Sequence, residues 1–446
     1  MIVHTANDQN PQGPVTERLK ILVLPEGYPS EEHPGRGFFV KELVRALSSL
    51  DEVRVLYPTL RPDPDSPRRI TFTKNIEDGI PTWRAEYGWV PGLLHRSINN
   101  RLTSERSAGD EALEVEEDQI ESTSLSLKSF VSKAVREARY VAYCAFVVFS
   151  LVRVIRSGWR PDIIHAVTYG PGLPAIIVGR LFRIPVVIAE YSSMIGMHTI
   201  SPMMRRKLRF SHRRADAVLP CSVFLQSAIS RYVVCKRSEV VPYPVDTSCF
   251  RPSSAVADRE DGLKHIVAVS NLVPRKGIHY LLLSLALVAE DRRDFRVEII
   301  GDGPMREGYE TSSKELGIED LVIFSGIMAQ HEDVADRMMG CDFFVHPSTY
   351  ESLGVVIIEA IACGKPLVFT ELGPYREIVD GDIVGIGVTP GAVDQLAGAI
   401  EYMLDHFRDY DPEAIAANSS LRFSHEVIAG RLHDIYQSIV ARDTNA

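Results

Sequence analysis

Residues 343–370, FFVHPSTYESLGVVIIEAIACGKPLVFT, restrict what this chain can fold into more than any other stretch. An apolar run of strand length opens them. A Pro-Ser-Thr turn and Glu351-Ser-Leu-Gly354 follow. Then comes an apolar helical segment over 355–363, which Gly364 ends, and a second buried strand at 367–369. Strand, polar turn, helix and strand make one parallel βαβ unit. The helix starts beside Ser352 and Gly354, so backbone N–H groups are expected to face a cleft above the sheet, and such a start is an anion site. Two carboxylates bracket it: Glu351 at the mouth and Glu359 eight residues on, roughly 12 Å apart along a helix axis. A carboxylate beside a helix start is also what the helix dipole favours on an ordinary surface. Glu359 differs, because it interrupts the apolar run VVIIEAIA, where a charge needs a partner. The span suits a nucleotide diphosphate sugar, with hydroxyls held at each end and phosphates on the amides between.

A chain of 446 residues is too long for one ordinary core, so two domains are expected. The net charge of −10 argues against general nucleic-acid binding. That charge is uneven: Arg205, Arg206, Lys207, Arg209, Arg213 and Arg214 crowd one helical segment, whereas residues 111–121 are acidic. The segment reads either as a solvated helix face or as a site for an anionic acceptor or membrane phosphates. The six cysteines form no CxxC pair and no metal-ligand spacing with His, which fits reduced core residues in a cytoplasmic protein. Residues 1–18 are polar and read as a disordered tail without a signal peptide. The longest apolar run, YVAYCAFVVFSLV at 140–152, falls short of the ~20 residues a membrane span needs. It reads as a buried helix or, given its basic flanks, as a helix resting at the inner face of a membrane.

The first half begins with a buried strand, LKILVL at 19–24, a glycine-bearing loop and a helix over 38–50. That is how a Rossmann-type half starts, but the glycines, Gly37 among them, do not form GxGxxG. They permit a close backbone approach to a sugar or phosphate, or an ordinary turn. Further strands are read at 53–57, 69–73 and 81–87, a mobile acidic insertion at 100–127, and a helix over 129–156. The strand DIIHAV places His165 near its carboxyl end, where doubly wound sheets bind ligands, although a lone His on an apolar strand is often a packed core residue. Residues 217–219 and 240–241 are expected to close this sheet.

An interdomain crossing follows at 241–246. The second half alternates strands (265–269, 295–300, 321–324, 343–346, 367–369 and 384–388) with helices, the signature of a parallel doubly wound sheet. After its first strand stands Asn271-Leu-Val-Pro-Arg275-Lys276-Gly277, two cations suited to neutralising a diphosphate. Gly301-Asp302-Gly303-Pro304 lies on the same rim. The last helix, over 426–441, is amphipathic and could cross back to the first domain. The domains are thus read as 19–245 and 246–425, followed by the helix 426–446.

Taken together, these residues resemble the retaining glycosyltransferases of family 4, which have the two-domain GT-B fold: two Rossmann-like doubly wound α/β domains facing a cleft. The resemblance runs over residues 19–441 and rests on the E-x7-E pair, IIGDGP at 299–304, RKG at 275–277, DIIHA at 162–166 and VPYPVDTSCFRP at 241–252. Pro34-Gly35-Arg36-Gly37-Phe38 is similar to members that build extracellular or capsular polysaccharides. The resemblance implies that Lys276 binds the donor diphosphate with Arg275 assisting, Glu359 holds the ribose hydroxyls, and Glu351 contacts the donor sugar. It also implies that the amides near Leu353 and Gly354 cradle phosphate, that His165 faces the transferred sugar, and that the Gly37 loop closes on the donor or acceptor. Three departures stand out. Asn271 replaces the family's usual Arg, Tyr243-Pro244 replaces Asn-Gly at the crossing, and Gly373-Pro374 replaces Gly-Gly.

The expected reaction is transfer of a sugar, with retention, from a nucleotide diphosphate sugar to a glycan or lipid-linked acceptor. No cofactor and no bound metal are expected, since no Asp-x-Asp stands near either phosphate rim. The leaving charge must then be met by Lys276, Arg275 and the helix start. Two alternatives are a nucleotide-sugar epimerase of the same fold and a degenerate, non-catalytic transferase subunit.

Overall fold

The computed structural model describes residues 18–29, 37–61, 70–88, 127–197, 199–253, 262–328, 330–379 and 383–444. Apart from Arg18 and residue 127, the tail and the acidic insertion lie outside the described residues. So do Pro34, Gly35 and Arg36 of the first loop.

Among the described residues, thirteen strands form two sheets. The first holds β1 (Lys20–Leu24), β2 (Glu52–Arg61), β3 (Ile70–Glu77), β4 (Ile80–Gly88), β5 (Ile163–Val167), β6 (Val186–Glu190) and β7 (Ala217–Pro220), in the order β3-β4-β2-β1-β5-β6-β7. All pairs are parallel except β3 with β4, a hairpin whose turn residues Asp78 and Gly79 both have positive φ. The second sheet holds β8 (Lys264–Val269), β9 (Phe295–Ile300), β10 (Val322–Gly326), β11 (Phe343–His346), β12 (Leu367–Thr370) and β13 (Gly385–Val388). All its pairs are parallel, in the order β10-β9-β8-β11-β12-β13. Both domains are therefore doubly wound α/β layers of the expected class.

Strand order fixes where a site can form. In each sheet the order reverses beside the domain's first strand, between β1 and β5 in one and between β8 and β11 in the other. Loops diverging from such a switch point leave a crevice at the carboxyl ends of the strands. The segments that carry most of the candidate residues, 271–277 after β8 and 347–354 after β11, leave the second sheet at this point.

Residues 240–241 do not form a strand. Glu239 and Val241 donate backbone N–H bonds to Val218 and Pro220 of β7. Pro242, without an N–H, then ends the ladder before it becomes regular. The chain crosses between domains twice, at 245–246 and 424–425, and the crossings pair with each other: Val245 N–H donates to Phe423 O at 2.8 Å. At the first crossing Tyr243 is buried, stacked on Tyr191 with ring centroids 4.0 Å apart and edge-on to Phe39 at 4.7 Å.

The final helix, His425–Thr444, packs on the first domain against the helix Phe38–Ser48. His433 Nδ1 lies 2.9 Å from Asp51, and Tyr436 OH lies 2.6 Å from His165 Nδ1. This corrects the reading of His165 as a residue facing the sugar. It is the third residue of β5, its side chain is 0% exposed, and it points at the final helix rather than at the rim. Burial pulls its imidazole down to about 4, so it is neutral at ordinary pH. Tyr436→Phe should therefore lower stability by about 1–3 kcal/mol, because a buried ring nitrogen loses its partner, and should leave catalytic turnover unchanged. Thermal melts beside a rate assay check this; a collapsed rate with an unaltered melt would restore His165 to the chemistry.

Candidate functional site

The site is built on the 3-10 turn Pro274–Lys276 and on the segment between β11 and the helix Val355–Ala362. Thr349 N–H donates to Arg275 O at 2.8 Å, which fastens the two loops together across the switch point. Lys276 Nζ then reaches Glu351 Oε1 at 2.5 Å, and Arg275 Nη1 stands 3.9 Å from Glu351 Oε2. Ser348 Oγ donates to Glu351 at 2.9 Å, and His346 Nε2 lies 3.3 Å from the same oxygen. Glu351 is 7% exposed. Burial alone would raise its pKa, but Lys276, His346 and Arg275 outweigh this and hold the carboxyl well below the usual range. Glu351 is thus a fixed anion in a cationic setting, and an incoming diphosphate would compete with it for Lys276.

Gly354 begins the helix in the left-handed region, φ 86°. A Cβ there would lie 2.5 Å from the Tyr375 ring, so glycine is required both by conformation and by space. Tyr375 belongs to the 3-10 turn Gly373–Glu377, which carries the Pro374 departure. Leu353 is buried, 2% exposed, at the seam between the domains. There Ser222 Oγ donates to Ser352 O at 2.6 Å, and Ser352 Oγ donates to Tyr191 O at 3.1 Å. From the same turn, Glu377 accepts the N–H groups of Val223 and Phe224 at 2.7 and 2.8 Å and so caps a helix of the opposite domain.

Glu359 is also buried, 5% exposed, and its partner is His331 Nε2 at 3.0 Å. The His331 ring packs against Phe38 with centroids 3.9 Å apart and ring planes tilted by 57°, and lies edge-on to Phe250 at 4.6 Å. Phe38 directly follows Gly37, which has φ 65° and where a Cβ would lie 2.2 Å from Gly27 O. The start of the helix Phe38–Ser48 therefore packs against the histidine that partners Glu359. Asn271 is exposed, and the turns after β8 and β9 lie backbone to backbone: Leu272 N–H donates to Asp302 O at 2.8 Å, and Met305 N–H donates to Leu272 O at 3.1 Å. This sets Asn271 and Gly303 on one rim.

The structure thus brings Lys276, Arg275 and Glu351 together, with Leu353 and Gly354 on the segment that follows, Glu359 paired with His331 on the next helix, and Asn271 and Gly303 on neighbouring turns; Gly37 precedes Phe38 at the His331 end, and His165 lies in the first domain's core. Sequence reasoning missed His346, Ser348 and His331. The first two stand five and three residues before Glu351 and were read only as strand and turn. Also missed was Thr168 at the first domain's own switch point. It has φ 72°, uncommon for a β-branched residue, and its hydroxyl is bonded to Glu26. No local signal in the sequence marks that backbone.

The family model Glycosyl transferases group 1 matches residues 252–414, and Glycosyltransferase Family 4 matches residues 109–248. The chain is similar to glycogen synthase of Mycobacterium tuberculosis, 24% identical over 62% of this chain and 69% of that one. It is also similar to alpha-D-kanosaminyltransferase of Streptomyces kanamyceticus, 26% identical over 62% and 77%. A third relative is alpha-monoglucosyldiacylglycerol synthase of Streptococcus pneumoniae, 26% identical over 65% and 69%. Among solved structures, the fold is like that of sucrose-phosphate synthase from Thermosynechococcus elongatus, with a TM-score of 0.69 at 18% identity, covering 95% of this chain and 100% of that one. It is also like Anabaena HepE in complex with UDP and glucose, with a TM-score of 0.66 at 20% identity, covering 94% and 100%.

Proposed function

Because this chain belongs to the family-4 glycosyltransferases, with their two-domain GT-B architecture, we propose that it moves a sugar from a nucleotide diphosphate sugar to a glycan or lipid-linked acceptor, with retained configuration. The observation that carries this reading is the pairing of Lys276 and Arg275 with the buried Glu351 at the switch point of the second sheet. Two cations held beside a helix start, with Glu359 eight residues on, have the charge and reach for a diphosphate and a ribose. On this reading Lys276 and Arg275 take the leaving diphosphate's charge, a resident metal is not needed, and no cofactor is used. Glu351 orients the transferred sugar. Glu359 exchanges His331 for the ribose hydroxyls when donor binds.

The relative that makes a glucosylated diacylglycerol supports a lipid acceptor, and the neighbour solved with UDP makes a UDP-sugar the first donor to try. The six cysteines form no disulfide, which accords with work in the reducing cytoplasm. A thermal-shift screen of UDP-, GDP- and ADP-sugars tests the reading. A donor at a hundred times its Kd stabilises the folded chain by about 2.7 kcal/mol, which raises its melting temperature. One nucleotide class should do so clearly above the others, and the same class should be turned over on addition of acceptor. No shift with any donor would overturn the proposal.

A further inference from the structure

The helix Leu127–Arg156 precedes β5, the helix Tyr169–Phe182 precedes β6 and the helix Pro202–His212 precedes β7. The chain moves the same way along the sheet each time, so right-handed crossovers lay all three helices side by side on one face. The final helix covers the opposite face with the helix Phe38–Ser48, which crosses in the other direction. The outer surface of the three-helix layer has two halves. One is apolar: Val141 is 65% exposed, Phe149 47%, Ile177 44% and Leu181 69%. The other, on the helix Pro202–His212 and just beyond it, exposes Arg205, Arg206, Arg209 and Arg213. Residues 136–214 carry thirteen Lys or Arg against three Asp or Glu, in a chain whose net charge is −10.

The segment Arg136–Arg156 is long and apolar enough to cross a bilayer by length and composition. Its inner side, however, is part of the first domain's core: Phe146, Val147, Leu151 and Val154 are buried to 5% exposure or less. Moving it into a bilayer would strip the sheet. A helix anchored along one side, with apolar residues on the other and arginines beside it, has instead the layout of an interfacial element. We propose that this face docks the protein flat on an anionic lipid surface, with Val141, Phe149, Ile177 and Leu181 entering the headgroup boundary and the arginines meeting lipid phosphates. The exposed apolar half favours lipid over nucleic acid, for which the arginines alone would serve.

Sedimentation of the full chain with vesicles tests this. Binding is expected to vesicles containing phosphatidylglycerol, to weaken steeply with salt, and to be nearly absent on pure phosphatidylcholine. The pair Arg206→Gln and Arg213→Gln should weaken it about 25-fold, taking about fivefold per charge. Phe149→Ser with Leu181→Ser should weaken it further while keeping the salt dependence. Melting temperature and donor turnover should stay at wild-type values in the arginine pair. Absence of binding to anionic vesicles, equal binding to neutral ones, or arginine variants that lose affinity for an RNA oligonucleotide but not for vesicles would each overturn the proposal. Since turnover is read separately, a failure of the sugar-transfer reading would leave this result standing.

Discussion

Lys276→Ala should cut sugar-donor turnover by about 100- to 1,000-fold, the loss typical when one preorganised group facing developing charge is removed. The same change should also lower the melting temperature. Lys276 is the closest cation to a buried Glu351, and breaking a buried pair by deleting one member costs about 3–5 kcal/mol. Lost turnover in this variant alone would therefore be ambiguous. The double variant Lys276→Ala with Glu351→Ala separates the two effects. It removes the stranded carboxylate, so most of the lost stability should return while turnover stays absent. A single variant that turns over donor within about threefold of wild type would sink the assignment of Lys276 to the diphosphate.

Glu359→Ala should weaken nucleotide binding by about 100-fold, because a carboxylate that accepts ribose hydroxyls contributes about 1.5–3 kcal/mol per bond. The structure adds a pH dependence. Burial pulls the His331 pKa down, but Glu359 beside it more than offsets this and the net shift is upward from 6.5. A raised pKa means that the pair's contribution to stability is fully present below pH 6.5 and is lost as pH rises through the higher folded value. The protonated imidazole also competes with the nucleotide for Glu359. UDP should therefore bind more tightly as pH rises through that range, as titration calorimetry would read. His331→Phe, which keeps a ring between Phe38 and Phe250, should flatten the dependence. An unchanged pH profile in that variant would show that His331 and the nucleotide do not share Glu359.

Much of the fold was legible because its signals are local. Buried parallel strands are short apolar runs, the helices between them have their own period, and Gly364 or Gly277 marks an end or a start. The E-x7-E pair was legible for a related reason: a carboxylate inside VVIIEAIA has no local explanation. Partners distant in sequence were not legible. His165 lies 271 residues from Tyr436, and nothing near β5 announces that a hydroxyl from the last helix will seal it in. His331 meets Glu359 only because two helices pack together, and its sequence neighbourhood is an ordinary polar helix start. Residues 240–241 misled because two β-branched residues suggest a strand, whereas Pro242 and Pro244 limit the pairing.

The union of the final helix with the first sheet has a consequence for how the protein is made. Emerging from the ribosome, residues 18–253 cannot finish their own interior. Asp51 and His165 wait for His433 and Tyr436, which are translated 382 and 271 residues after them, some tens of seconds at ordinary elongation rates. The carboxyl-terminal sheet, whose strands all fall within 264–388, has no such delay and can settle first. Nascent chains arrested before Phe423 should accordingly be digested within residues 18–61 while their 264–388 region resists protease. Equal resistance of both regions would show that the amino-terminal half matures without its distant clasp.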